Sequence, residues 1–226
     1  MRKFLLVLLL ALSLTACGLA PTIAQPPTAT QAPTFTPIPT FTSAPQPTAI
    51  PADPPPTITL DFIAQLCSAK WSNGAHYLVT CPPTNVDRSG GYAMGIDPLA
   101  EGLPAGTPAL LTVPAWNGSS SLFLRYPNYA VHAGDRFRTN VFCSLATPQC
   151  DVQFALEYYD ANGKYQELFK WNQVSGQAPT VIDADLSMLA NQTVDFTLVL
   201  RLFHILDNPQ QDHGIWVAPH IYRSTQ

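Results

Sequence analysis

Charge is scarce in this 226-residue chain: Asp, Glu, Lys and Arg together make up 12% of it. Its 11 basic residues are outnumbered by 15 acidic ones. Without Arg2 and Lys3 at the extreme start, nine basic residues face those 15, leaving a charge near −6 with His neutral. Nucleic acid and anionic lipid surfaces need basic patches, so neither is expected as a partner. Catalytic signatures are missing too. The chain has no G-x-S-x-G, no H-E-x-x-H and no CxxC spacing. That removes a nucleophile elbow, a zinc-protease helix and a cysteine-based zinc site. Nor is there an internal repeat, or an apolar run of roughly 20 residues able to cross a bilayer.

What is present begins with targeting. Arg2 and Lys3 precede Phe4–Leu14, which is apolar throughout except for Ser13. Such a run has the length of a signal-peptide core, not of a permanent span. It closes on Leu14-Thr15-Ala16-Cys17, which resembles the bacterial lipobox. The resemblance implies cleavage of residues 1–16 and lipidation of Cys17. Two or more acyl chains anchor a protein stably. The expected location is therefore extracytoplasmic, with the membrane as a partner through the lipid alone. Residues 17–56 then read as a linker. "PTATQAPTFTPIPTFTSAPQPTAIPADPPP" is dominated by Pro and Thr, and Asp53 is its only charge. Proline removes backbone donors and fixes φ, so an extended, solvated stalk is expected.

Residues 57–226 have the size of one domain with a single core. Four cysteines fall in it: Cys67, Cys81, Cys143 and Cys150. An even count in an exported protein favours disulfides. Three pairings are possible. The local one, Cys67–Cys81 with Cys143–Cys150, closes the shortest loops. The Thr147-Pro148 turn in "FCSLATPQCD" suggests that Cys143 and Cys150 face each other across a hairpin.

Alternation with a period of two dominates the second half. Val194, Phe196, Leu198, Leu200 and Leu202 alternate with Asp195, Thr197 and Arg201, so one face of that strand meets a core. Val152, Phe154, Leu156 and Tyr158 repeat the pattern. So do Phe137, Thr139, Val141 and Cys143, and Ile182, Ala184 and Leu186. Asn162-Gly163 tolerates positive φ and predicts a hairpin between "VQFALEYY" and "KYQELFKW". Leu122–Tyr126 and Gly214–Tyr222 add strands, and Asp61–Lys70 suggests a short helical turn. Many short strands separated by turns predict an all-β fold, an antiparallel β-sandwich or jelly roll.

Several of these stretches carry a family likeness. The strands around "GDRFRTNVFC" and "DVQFALEYY" lead to "ADLSMLANQTVDFTL" and end in Asp212-His213-x-x-Trp216-x-x-Pro219-x-Ile221. Over about Tyr129–Tyr222 this order resembles a galactose-binding-like jelly roll, in particular the bacterial modules called NPCBM, although Ala184 stands where those modules have Val. The resemblance implies a non-catalytic β-sandwich of the kind that accompanies carbohydrate-active or cell-surface proteins. It does not imply galactose as the ligand.

Candidate sites follow from chemistry. Asp212-His213 has the composition of an acid/base pair, but neighbours on a strand point to opposite faces. Asp212 is better placed to fix the turn before the last strand. Asp183 and Asp185 share one strand face, as a glycosidase pair would, yet they alternate with apolar residues as outward, solvated positions. No catalytic residue is therefore expected. Trp71, Trp116, Trp171 and Trp216 are the aromatic candidates for stacking on sugars. Trp216 is expected in the core. Trp116 and Trp171, the latter with Asn172, are taken as ligand-binding candidates near loop ends. A structural calcium at acidic loop residues such as Asp151, Asp207 or Asp212 is conceivable without an EF-hand spacing; no other cofactor is expected. The functional expectation is carbohydrate binding at the cell envelope. A protein-interaction or envelope-assembly module is the alternative, and a hydrolase is third.

Overall fold

Six strands in one sheet and five in another, all antiparallel, form the two layers of a β-sandwich. The computed structural model describes residues 56–74, 81, 90–115, 120–203 and 209–223, all within the compact unit Ile50–Gln226. The signal segment, Cys17, the linker up to residue 55, Trp116 and Asp207 lie outside the described residues.

The strands are Thr57–Asp61 (β1), Lys70–Ser72 (β2), Tyr92–Gly95 (β3), Ala109–Val113 (β4), Ser121–Ala130 (β5) and Asp135–Cys143 (β6). They continue as Asp151–Tyr159 (β7), Tyr165–Val174 (β8), Thr180–Asp185 (β9), Thr193–Leu202 (β10) and Gly214–Arg223 (β11). One sheet runs β3-β4-β11-β6-β9, with β1 also on β11; the other runs β2-β5-β10-β7-β8. The last strand serves two partners along one edge. Gly214–Val217 pairs with β4, and His220–Arg223 pairs with β1. Ala218 and Pro219 separate the two halves. Ala218 has φ 43°, and the register against β6 shifts there. A proline cannot donate to a ladder, so a bulge is where one fits within a strand.

The alternating apolar residues meet between the layers. Phe137, Val141, Val152, Phe154, Leu156, Val194, Phe196, Leu198, Leu200 and Ile221 are all buried in one cluster. Trp216 sits at its centre with no exposed surface, edge-on to Phe154 at 4.9 Å and to Phe137 at 6.4 Å between ring centroids. Its neighbour Gly214 permits this closeness. A Cβ at Gly214 would lie 2.5 Å from Leu200 Cδ1 and 2.7 Å from Phe154 Cζ. Trp71 is also a core residue, with its indole N–H donating to the Leu66 carbonyl at 3.1 Å.

Both local disulfides form, Cys67–Cys81 and Cys143–Cys150. The second needs a correction, because its cysteines do not face each other across a hairpin. Cys143 ends β6 in one sheet and Cys150 precedes β7 in the other. The turn between them arches over the end of the sandwich, so the bond staples the two layers together. A seven-residue spacing fits either geometry, and only the sheet assignment distinguishes them. The suggested helical turn is real but brief, a 3-10 turn at Leu66–Ser68.

Candidate functional site

The two faces of the β2-β5-β10-β7-β8 sheet differ in chemistry. Leu122, Leu124, Leu156, Leu198 and Leu200 point into the core. The alternate residues face outward, and the register lays them side by side. Lys70 stands opposite Arg125, and Arg125 opposite Thr197. Thr197 in turn stands opposite Glu157, while Ser72 faces Phe123. At the centre of this outer face the residues are short: Ala155 and Val199 have no exposed surface, and Thr197 has 1%. Longer side chains on the flanking strands rise around them. A recess of about 290 Å³ lies on this face, lined by Lys70, Ser72, Phe123, Arg125, Tyr159 and Thr197.

Its walls are ordered by charge and stacking. Asp195 receives Arg125 through Nε at 2.8 Å and Nη2 at 2.6 Å. The same guanidinium lies 3.9 Å above the Tyr159 ring, a cation–π arrangement that holds both groups in place. Tyr159 is braced edge-on by Tyr165 at 5.7 Å. Next to this, the buried carboxylate of Glu157 accepts from Arg201, whose Cζ is 5.4 Å from the Phe123 ring. Burial, helped by the neighbouring Glu157 carboxylate, pushes the Tyr165 phenol up to about 12, so it stays protonated and able to donate. Thr197 lies beneath the recess with its hydroxyl oxygen sealed from solvent. Thr197 Oγ1 has no hydrogen-bond partner among the described residues.

The residues singled out from sequence are distributed differently. Asn172 belongs to the outer face, where its Oδ1 accepts from Gln153 Nε2 at 2.9 Å. Trp171 lies on the other side of the same strand. Its ring is half-buried, stacked on Phe169 at 6.0 Å and on Phe137 of the opposite sheet at 6.4 Å. Adjacent strand residues diverge, so these two do not share a surface. Asp212 is fully buried, and its Oδ1 accepts the Asp151 backbone N–H at 2.8 Å. That bond ties the start of β7 to the segment before β11. Asp183 is outward, as the alternation predicts, but it is pinned and not freely solvated. Arg136 Nε, Arg138 Nη2 and the Tyr222 hydroxyl all donate to it. Burial raises its proton affinity, but the bonds from Arg138, Arg136 and Tyr222 outweigh that and hold the carboxyl below its ordinary range. A group held ionised by two arginines is ill suited to act as a general acid. Asp185 instead receives the Ser187 N–H and hydroxyl. Among the described residues no three His, Cys, Asp or Glu side chains are grouped to hold a metal ion.

The recess itself was missed in the sequence. The outward positions of β10 were visible as Asp195, Thr197 and Arg201. The edge strand β2, one strand further out beyond β5, is only three residues long, however, and Lys70 and Ser72 carry no alternation to place them there.

No family model matches the chain, and no curated protein does. Similarity is found among solved structures. One is the M60 catalytic domain with the CBM51-1 and CBM51-2 domains from Clostridium perfringens ZmpB. The identity is 15% and the TM-score 0.39, over 52% of this chain and 11% of that one. A second is CBM51 from Clostridium perfringens GH95 in complex with methyl-galactose, at 15% identity and TM-score 0.37, over 50% of this chain and 69% of that one. A third is the CBM22-1-GH10 portion of the Clostridium thermocellum xylanase 10B complexed with xylohexaose. There the identity is 12% and the TM-score 0.43, over 75% of this chain and 28% of that one.

Proposed function

We propose that this protein is a non-catalytic carbohydrate-binding lipoprotein, with the outer face of the β2-β5-β10-β7-β8 sheet as its glycan surface. The observation that carries this reading is the recess over Thr197. Sugars present apolar ring faces edged by hydroxyls, so a site for them combines aromatic walls with convergent polar groups. Phe123 and Tyr159 supply the walls. Ser72 and Arg125 supply a hydroxyl and N–H donors. Gln153 and Asn172 extend the polar character toward the sheet edge. Trp116 remains a further candidate for contact with the ligand.

The lipobox-like start places such a domain at the end of a stalk. Lipid on Cys17 holds it to a membrane on the extracytoplasmic side, and the Pro/Thr linker carries it outward. Fully extended, the linker reaches on the order of 120 Å at about 3.1 Å per residue.

Two measurements test the two halves of the proposal. A screen of the full chain against arrayed neutral and acidic glycans is expected to return binding to at least one class. Silence across the whole array would refute glycan binding. In the native host, Cys17→Ala is expected to move the protein from the membrane fraction to the soluble fraction. Retention in the membrane would refute the anchor.

A further inference from the structure

The recess carries more charge information than a neutral sugar requires. Lys70 and Arg125 are placed directly opposite each other on β2 and β5. Like charges in that relation are destabilising, and the chain has few cations to spend, with 11 Lys and Arg in all. Asp195 neutralises one of the two, through Nε and Nη2 of Arg125. Lys70 is exposed and has no ion pair among the described residues. The remaining guanidinium N–H groups of Arg125 and the Lys70 ammonium therefore border the same recess with one positive charge left over. Thr197 lies at the bottom, 1% exposed, with its hydroxyl oxygen sealed from solvent and without a partner among the described residues. A buried hydroxyl of that kind costs stability unless something satisfies it.

We propose that the recess binds an acidic sugar, with a uronate carboxylate set between Lys70 and Arg125 and the ring against Phe123. This rests on the carbohydrate reading and names the ligand class of that site. The carboxylate relieves the opposed cations. At about 290 Å³ the recess is at the small end of ligand pockets. It suits one ring of a chain, with the flanking rings lying along the sheet toward Gln153 and Asn172. Arg125 is already fixed by Asp195 and Tyr159, so little side-chain ordering is needed when the ligand arrives.

The test uses the full chain and three probes: oligogalacturonate, oligomannuronate and hyaluronan oligosaccharides, each alongside its methyl-esterified form. Esterification keeps the rings and removes the charge. At low ionic strength at least one free acid is expected to bind tenfold or more tighter than its ester, with the ratio shrinking as salt is added. Lys70→Met is expected to reduce that ratio to within about threefold, because an exposed edge cation is removed without disturbing the core. Thr197→Val gives a stability readout. It is expected to raise Tm by about 2–4 °C, since an unsatisfied buried hydroxyl is replaced by a methyl. Equal affinity for acid and ester, or an undiminished ratio in Lys70→Met, would overturn the proposal. If neutral glycans on the array bind and none of these acids does, the uronate assignment falls and carbohydrate binding stands. If nothing binds in either experiment, both fall.

Discussion

Trp216→Ala is expected to destabilise the domain by about 3–5 kcal/mol, a large share of the roughly 5–15 kcal/mol that holds a typical domain together. The indole is wholly enclosed and touches both layers: Phe137 beside it in its own sheet and Phe154 across the interface. Truncation removes the largest side chain of the core. The surrounding strands are tied on both sides by ladders, so they close the cavity only in part. Trp216→Phe makes the contrast. The indole N–H has no acceptor among the described residues, so phenylalanine loses volume without losing a hydrogen bond. Its cost is expected to be clearly smaller than that of Trp216→Ala, because most of the ring volume stays and the cavity left is smaller. Chemical denaturation of the three proteins checks this. A Trp216→Ala cost below about 1 kcal/mol would show that the indole is not the centre of the core.

Asp135→Ala is expected to cost about 3 kcal/mol and to remove part of the acid sensitivity of folding. Asp135 is fully buried at the start of β6, and the main donors of three residues converge on it. They are the Tyr129 hydroxyl at 2.9 Å, the His132 N–H at 2.8 Å and Arg223 Nε at 2.7 Å. Tyr129 also meets Thr59 at 2.6 Å, so the cluster joins β1, β5, β6 and β11. Removing one member of a buried pair costs about 3–5 kcal/mol. The lower end applies because Arg223 is 35% exposed and can turn to water. Burial alone raises the proton affinity of Asp135, but the bonds from Arg223, His132 and Tyr129 prevail and lower its pKa. A carboxyl whose folded pKa is depressed contributes stability that is fully present above its unfolded value, about 3.9. That contribution disappears as pH falls through the lower folded value. The wild type should therefore lose stability below about pH 4 more steeply than Asp135→Ala does. Parallel denaturation curves in that window would contradict the assignment.

Much of the sandwich was legible because one face of each long strand is apolar. In β6, β7, β9 and β10 most of the alternating residues named from the sequence meet between the layers. The Asn162-Gly163 turn joins β7 to β8 as expected. Strands β1 to β4 were not legible, for identifiable reasons. Lys70–Ser72 and Tyr92–Gly95 are too short to show a period. In β4 the residues Ala109, Leu110, Thr112 and Val113 are all buried, since Ile96 and Leu103 cover the outward face near Ala109, Ile215 and Val217. A strand enclosed on both faces has no alternation to read. The recess was hidden for another reason. It depends on which strands become neighbours, and Lys70, Arg125 and Tyr159 are brought together by pairing between segments distant in sequence. Asn172 was legible as an outward polar residue. Trp171 drew attention by residue type, while its strand parity sends it toward the core.

Glycan affinity of the full chain and its Phe123→Ala variant is the most direct measure of the central claim. Phe123 lies on the outer face and lines the recess, so its loss leaves the buried cluster intact. A circular dichroism spectrum and Tm close to wild type would establish that the variant is folded. The account predicts that the wild type binds an oligosaccharide from the array and that Phe123→Ala binds it at least about tenfold more weakly, the scale on which an anchoring aromatic contributes. Equal affinity in the two proteins would place the glycan elsewhere and contradict the account.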